Sequence, residues 1–388
     1  MDFDFTEEQV ALRGLAREVL TAESSSQEVR KQMADATGYS ESLWKQLAET
    51  GLLGITVDEA HGGLGLGMIE QALVLEEMGR AAYPGPYFAT VVLAATAIIA
   101  GGDRAQLDAY LPGIAEGNLK ATLALMEDRL ATGSEGIALR ARSQGGEYVL
   151  SGVKRFVPFA HVADVILVAA RTSESPSDPT HGITIFALDK GAEGVSVEPN
   201  VMIDQTNKVS TLTLENVRVG REAVVGQVDS GWKILEVVLR RAAVGAAAVM
   251  LGAARKCMDM SVEYAKVREQ FGQPIGSFQA IKHACAEMLV EVENAHGATY
   301  YAAWAVDAAA PDAGLAASVA KSYVGEASRK VCGSAIQVHG GIGFTWEYDL
   351  HLYFKQAKFL EALYGDAEFH RELVLREVMT PQAVPVLA

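Results

Sequence analysis

The stretch from Trp232 to Arg268 is long, and its middle, Ala242 to Ala254, is mostly Ala, Gly and Val. Side chains this small let helices approach closely, so the spacing predicts the centre of a helical bundle. Ala-rich segments at 297–320 and 325–336 supply further bundle helices. Residues 226–388 are therefore expected to form a C-terminal four-helix bundle.

The rest of the chain has two other rhythms. Residues 1–118 read as helices. Thr6 and Gln9 form a capping box ahead of the apolar face of Leu12, Leu15, Ala16 and Val19. A second helix runs through Leu43, Trp44 and Leu47, with Gly51 at the C-terminal glycine position. A third follows the glycines of 61–67 and ends near Arg80. Residues 119–225 change period. Tyr148-Val149-Leu150, Val165–Val168, Ile183–Phe186 and Thr211–Leu214 alternate or are β-branched, and turn-rich segments such as 173–179 separate them. That is a strand signature at hairpin spacing, which predicts an antiparallel β-barrel or sandwich between the helical domains.

Charge excludes some functions. The chain has 388 residues, with 49 Asp and Glu against 33 Lys and Arg, a formal charge of −16. A chain this acidic repels phosphate backbones, and no Lys/Arg run offers a local exception, so no nucleic acid partner is expected. The three cysteines, Cys257, Cys285 and Cys332, include no C-x-x-C pair. They fit a reducing compartment. The first residues are acidic and do not resemble a targeting segment. The most apolar run, 88–101, is shorter than a membrane span. The expectation is a cytoplasmic protein with no membrane partner and no metal.

Three motifs could carry chemistry. Gly63-Leu64-Gly65-Leu66-Gly67 lacks both a preceding strand and dinucleotide-fingerprint spacing, and reads as a loop leading into a helix. Arg268-Glu269-Gln270-Phe271-Gly272-Gln273-Pro274-Ile275-Gly276 ends the long helix in a sharp turn. Arg268 there could grip a phosphate or simply be solvated near the helix dipole. Gln337-Val338-His339-Gly340-Gly341-Ile342-Gly343 has three glycines in four positions. They would let backbone N–H groups approach a pyrophosphate, or would make a tight interhelical turn. His161 and His339 have no evident acid partner and read as structural or interface residues.

Taken in order, the helical domain, the β domain, the bundle and these motifs resemble the acyl-CoA dehydrogenase family of flavoproteins. Asp58–Gly65 followed by Glu76-Glu77-Met78-Gly79-Arg80, and Leu150-Ser151-Gly152-Val153-Lys154, carry the resemblance through the first two domains. It implies FAD, oxidation of an acyl-CoA thioester at Cα–Cβ, and commonly a dimer of dimers. The chemistry needs a carboxylate to take the α-proton and donors to hold the thioester oxygen.

Both base positions of the family are empty here. Where the family has Glu in a Tyr-Glu-Gly-Thr segment, this chain has Tyr364 in Leu363-Tyr364-Gly365-Asp366. A phenol titrates near 10 and is a poor base at pH 7. The alternative position on the long helix is Ala242, and its neighbour Ala243 replaces an Arg common in the family. Glu361, Asp366 and Glu368 are weak substitutes. In the β domain, the family's Thr-Glu-Pro-x-x-Gly-Ser-Asp strand becomes 125–135, and Trp-Ile-Thr beside the flavin becomes Phe156-Val157-Pro158. Proline brings no N–H or hydroxyl.

The positions that the family contributes to a neighbour's FAD are kept: Arg268, Phe271, Phe278, Gln279, Gln337, Gly340, Gly341 and Gly343. The chain thus resembles the base-lacking subunit of heterotetrameric steroid-type acyl-CoA dehydrogenases. The expected partners are a homologous base-bearing subunit, an acyl-CoA in that subunit's site, and an electron-transfer flavoprotein or similar acceptor. Two alternatives stay open. One is a self-sufficient homomeric dehydrogenase with a displaced base. The other is a flavin-dependent oxygenase or flavin-less binding protein on the same fold.

Overall fold

The computed structural model describes residues 4–128, 131–175 and 177–379. Arg129 and Leu130 of the 125–135 segment and Pro176 of the 173–179 segment lie outside the described residues, as do 1–3 and 380–388.

The N-terminal helices are α1 (Glu7–Glu23), α2 (Ser26–Ala34), α3 (Glu41–Glu49), α4 (Met68–Arg80), α5 (Thr96–Gly101) and α6 (Arg104–Ala115). Thr6 and Gln9 close the capping box of α1. Gly51 takes φ +76°, the left-handed conformation that stops α3 without a Cβ penalty. Residues Phe88–Ala95 form a buried π-helix that runs into α5, a rare winding that sequence periodicity does not reveal.

The middle strands are β1 (Ala121–Ala124), β2 (Arg140–Gln144), β3 (Glu147–Pro158), β4 (Val165–Arg171), β5 (Ile183–Asp189), β6 (Val195–Asn200), β7 (Val209–Val219) and β8 (Val224–Val225). They form one sheet in the order β6-β7-β3-β2-β4-β5-β8, with β1 beside β4. The pairing is mixed rather than antiparallel throughout: β1 lies parallel to β4, and β2 meets β4 in parallel at Arg140 and Arg171. The β1–β4 pair arises because β1 enters from the helical domain and not from a hairpin.

The bundle comprises α7 (Trp232–Val267), the small hairpin of β9 (Glu269–Gln270) and β10 (Gln273–Pro274), α8 (Gln279–Asp307), α9 (Ala313–His339), α10 (Leu350–Ala362) and α11 (Ala367–Met379). The Ala-rich segment 297–320 spans the end of α8 and the start of α9, with a turn between. The small residues act as expected. A Cβ on Gly252 of α7 would lie 1.9 Å from the carbonyl oxygen of Glu76, and one on Gly79 of α4 would lie 2.0 Å from that of Val249. The two helices therefore cross with their backbones in contact.

Two adjacent buried carboxylates of α4 pair with α1, and the first also reaches the bundle. Glu76 accepts from Arg13 at 2.9 Å and from the Tyr300 hydroxyl at 2.6 Å, and lies 3.2 Å from Arg255. Burial alone would raise the carboxyl of Glu77, but hydrogen bonds from Arg17 and Arg13 hold it below the ordinary range. Removing both arginines would strand the buried charge of Glu77.

Candidate functional site

Tyr364 is fixed by its surroundings. After α10, Tyr364 (φ +59°) and Gly365 (φ +96°) are successive left-handed residues that turn the chain into α11. The turn is held from two sides. Lys321 Nζ donates to the carbonyls of Glu361 at 3.0 Å and Gly365 at 2.7 Å. His370 Nε2 donates to the carbonyl of Tyr364 at 2.9 Å. Lys321 is almost wholly buried, and desolvation pulls its ammonium down to about 8. The Tyr364 ring stacks on Phe88 with centroids 5.4 Å apart. Burial raises its phenol further above the ordinary value of about 10. Ala242 is fully buried on α7 and offers only a methyl group.

The substitute acids have other duties. Glu361 pairs with Arg329 at 3.2 Å and Lys358 at 2.8 Å. Asp366 accepts the Phe369 N–H at 2.9 Å and caps α11. Glu368 is exposed in the first turn of α11. None of the three lines the space beside Tyr364.

The place where the family resemblance would put a flavin ring is closed. Phe156 adopts φ +52° at a register slip in β3, and Pro158 follows. With Leu123, Leu125, Met126 and Tyr364 they line an apolar cleft of about 20 Å³. Roughly 10–15 Å³ of such space admits one water, so a tricyclic ring does not enter. The neighbouring strand is stapled shut. Buried Lys154 donates to Leu125 O at 3.0 Å and to Glu127 at 2.7 Å. Desolvation brings its ammonium to about 8 despite that carboxylate.

The other residue set stands open. Arg268 follows α7, and its side chain has no hydrogen-bond or ion-pair partner among the described residues. Phe271 (φ +54°) and Gly272 (φ +79°) form the β9–β10 turn, which leaves Phe271 92% exposed and edge-on to Phe278 at 6.1 Å. Gln279 opens α8, and Gln337 is exposed in the last turn of α9. Cβ atoms on Gly340 and Gly341 would meet nothing within 4 Å, so the space beside them is open, while the Gly340 N–H is spent on Gln337 O and Ile336 O as the cap of α9. Gly343 is different. It is buried, and a Cβ there would sit 2.8 Å from Ile336 O, so this glycine makes the turn rather than presenting backbone. Stacking of Tyr264 on His339 at 4.3 Å joins the Arg268 hairpin to the Gly340 turn. His339 is further tied to Ala335 O at 2.8 Å, and His161 to Thr37 O at 3.0 Å.

The two sets are far apart. Ala243 lies beside Tyr364, and Tyr264 lies beside the glycine turn. At 1.5 Å per residue along α7 the separation is about 30 Å. Sequence reading missed Phe88, which blocks position 364, and Lys321, which fixes it. A lysine set among the small residues at the start of α9 was the available signal for the second. Among the described residues no three His, Cys, Asp or Glu side chains gather as a metal site, and no helix is long and apolar enough to cross a membrane.

Comparison with known proteins gives a consistent result. Residues 6–118, 127–217 and 229–379 match the N-terminal, middle and C-terminal domains of acyl-CoA dehydrogenases. The chain is 31% identical over 384 residues to the probable acyl-CoA dehydrogenase YngJ of Bacillus subtilis (strain 168), covering 98% of this chain and 100% of that one. A chain of the Tcur3481–Tcur3483 steroid acyl-CoA dehydrogenase is 33% identical with a TM-score of 0.85, covering 96% of this chain and 98% of that one. A chain of the ChsE4–ChsE5 complex from Mycobacterium tuberculosis is 29% identical with a TM-score of 0.89, covering 99% and 100%.

Proposed function

Because this chain belongs to the acyl-CoA dehydrogenase family, whose members bind FAD and act on acyl-CoA thioesters, we propose that it is a non-catalytic subunit. In this reading it completes the FAD site of a base-bearing partner and works in the cytoplasm. One observation carries the proposal. The space beside Phe156 and Pro158 is nearly filled, with about 20 Å³ left, and Tyr364 stacked on Phe88 puts a phenol where a base would stand. Meanwhile Arg268, Phe271, Gly340 and Gly341 stand uncovered about 30 Å away.

The roles follow from the chemistry of each group. The Arg268 guanidinium pairs with a pyrophosphate of the partner's FAD, favoured by charge-assisted geometry. Phe271 and Phe278 wall the adenosine, and Gln279 reaches toward the flavin. Gln337 and Gly341 bring polar and backbone groups to the phosphates past the open space at Gly340, while Gly343 holds their turn. When bound, FAD would supply the hydride acceptor for the thioester Cβ. The carboxylate that takes the α-proton belongs to the partner, as does the acyl-CoA. An electron-transfer flavoprotein or similar acceptor is the expected further partner. The similarity to chains of the Tcur3481–Tcur3483 and ChsE4–ChsE5 assemblies supports a heterotetramer and a bulky acyl group.

The test is flavin retention in the complex co-expressed with a base-bearing homologue. Arg268→Ala should lower FAD occupancy while the assembly stays intact. Unchanged occupancy would remove Arg268 from the site.

A further inference from the structure

The residue that leads into the glycine turn is buried while its neighbours are not. His339 is 4% exposed, whereas Gln337, Gly340 and Gly341 are exposed. Its imidazole is wedged between two phenol rings. Tyr264 of α7 stacks on it at 4.3 Å with 22° between the planes, and Tyr348, ahead of α10, meets it at 5.0 Å and 50°. The turn also folds back onto it, since a Cβ on Gly343 would lie 2.9 Å from the His339 Cβ.

Each half of the open surface hangs from this wedge. The Tyr264 carbonyl accepts the Arg268 N–H at 2.8 Å, and the Arg268 carbonyl accepts the Ile275 N–H at 2.7 Å. The backbone of the β9–β10 hairpin is therefore held from Tyr264. On the other side, the Gly340 N–H closes α9 on Gln337 O and Ile336 O, so the glycine turn starts at His339 itself. No other aromatic stack joins the two segments among the described residues.

The wedge fits a neutral ring only. Nδ1–H donates to Ala335 O at 2.8 Å, which leaves Nε2 as the acceptor nitrogen. Nε2 is buried with no partner. A proton placed there would be a buried donor without an acceptor, which is costly. The titratable groups that face the ring are the phenols of Tyr264 on α7 and Tyr348 ahead of α10. No charged side chain acts on it among the described residues, and burial holds its pKa below the ordinary value.

We infer that His339 is a positioning residue of the flavin-facing surface: its neutral ring sets the Arg268 hairpin against the Gly340 turn, and its protonation releases one from the other. This rests on the reading of the chain as completing a partner's FAD site, and adds pH control to that site. The sign follows from linkage. The released ring binds a proton more readily than the wedged one, so the coupling is full above about pH 6.5 and is lost as pH falls below it.

The experiment has two readouts. The first is hydrogen exchange of the full chain alone at pH 7.5 and 5.5, corrected for intrinsic rates. Segments 264–276 and 336–346 should both exchange at least about threefold faster at pH 5.5. His339→Phe keeps an aromatic wedge without an ionisable nitrogen, and should show no acid response in either segment. His339→Ala should speed both segments at either pH with unchanged circular dichroism. The second readout is flavin absorbance of the complex co-expressed with a base-bearing homologue, after gel filtration at each pH. The wild-type complex should lose at least about half of its FAD at pH 5.5, and the His339→Phe complex should keep it. Acid response in one segment alone, or an equal response in His339→Phe, would overturn the coupling. Coupled exchange with FAD occupancy that ignores pH would overturn the pH control of the cofactor. A complex without flavin at pH 7.5 would instead remove the FAD-completing reading, whatever the exchange shows.

Discussion

The rings of Tyr364 and Phe88 lie 15° from parallel, which joins the C-terminal turn to the π-helix of the N-terminal domain. A carboxylate placed at 364 would be buried against that ring without a cation. Tyr364→Glu should therefore destabilise the chain by about 3 kcal/mol or more at pH 7 and produce no dehydrogenation, since Phe156 and Pro158 still fill the flavin space. The sign with pH follows from burial. The folded-state pKa of the new Glu rises above its unfolded value of about 4.3. Stability relative to wild type is then best below pH 4.3 and falls as pH rises through the raised folded value. Denaturant unfolding at several pH values measures this, and activity in the single variant would contradict the account of the β domain.

Lys321 gives the opposite slope. Its folded value of about 8 lies below the ordinary 10.4, so the unfolded chain binds more protons between the two. The stability of wild type relative to Lys321→Met should rise by roughly 2 kcal/mol from pH 8 to 10 and be flat below pH 8. The variant also loses the bonds to Glu361 O and Gly365 O, which adds about 1–3 kcal/mol of destabilisation.

The crossing of α4 and α7 separates two glycines seven residues apart. At Gly252 an added methyl meets the Glu76 carbonyl at 1.9 Å, whereas at Gly245 it meets the Leu75 side chain at 3.1 Å. Gly252→Ala should cost at least about 3 kcal/mol or prevent folding, because backbone cannot step aside. Gly245→Ala should stay within about 1 kcal/mol of wild type, since helix propensity offsets a small side-chain adjustment. Thermal unfolding of the pair distinguishes backbone contact from generic small-residue packing.

Phe271 is the most direct probe of the open surface. Being 92% exposed, it contributes little to the fold, so Phe271→Ala should change the chain's own stability by less than about 0.5 kcal/mol. FAD occupancy of the assembled complex should nonetheless fall. Flavin absorbance per complex after gel filtration reads this directly.

Much of the fold was legible because its signals are local. The capping box at Thr6, the stop at Gly51, the β-branched runs and the small residues of α7 each act within a few positions. The parallel β1–β4 pair and the π-helix were not, because neither periodicity nor turn residues encode them. At the site, the missing carboxylates at 242 and 364 could be read from aligned motifs. What fills the space could not, since Phe88 and Tyr364 are 276 residues apart in sequence. The fate of Glu361 was likewise hidden. Arg329, on α9, is its partner through tertiary packing alone. Gly343 looked equivalent to Gly340 in the motif, and only the buried approach to Ile336 O separates their roles.

The measurement that bears most directly on the central claim is the visible absorbance spectrum of this chain, purified alone and then co-expressed with a base-bearing homologue. The account predicts a colourless protein alone, because the space beside Pro158 holds about 20 Å³ and the Arg268 set lacks its other half. It predicts flavin absorbance and thioester oxidation in the co-expressed complex. Stoichiometric FAD and activity in the chain alone would contradict it.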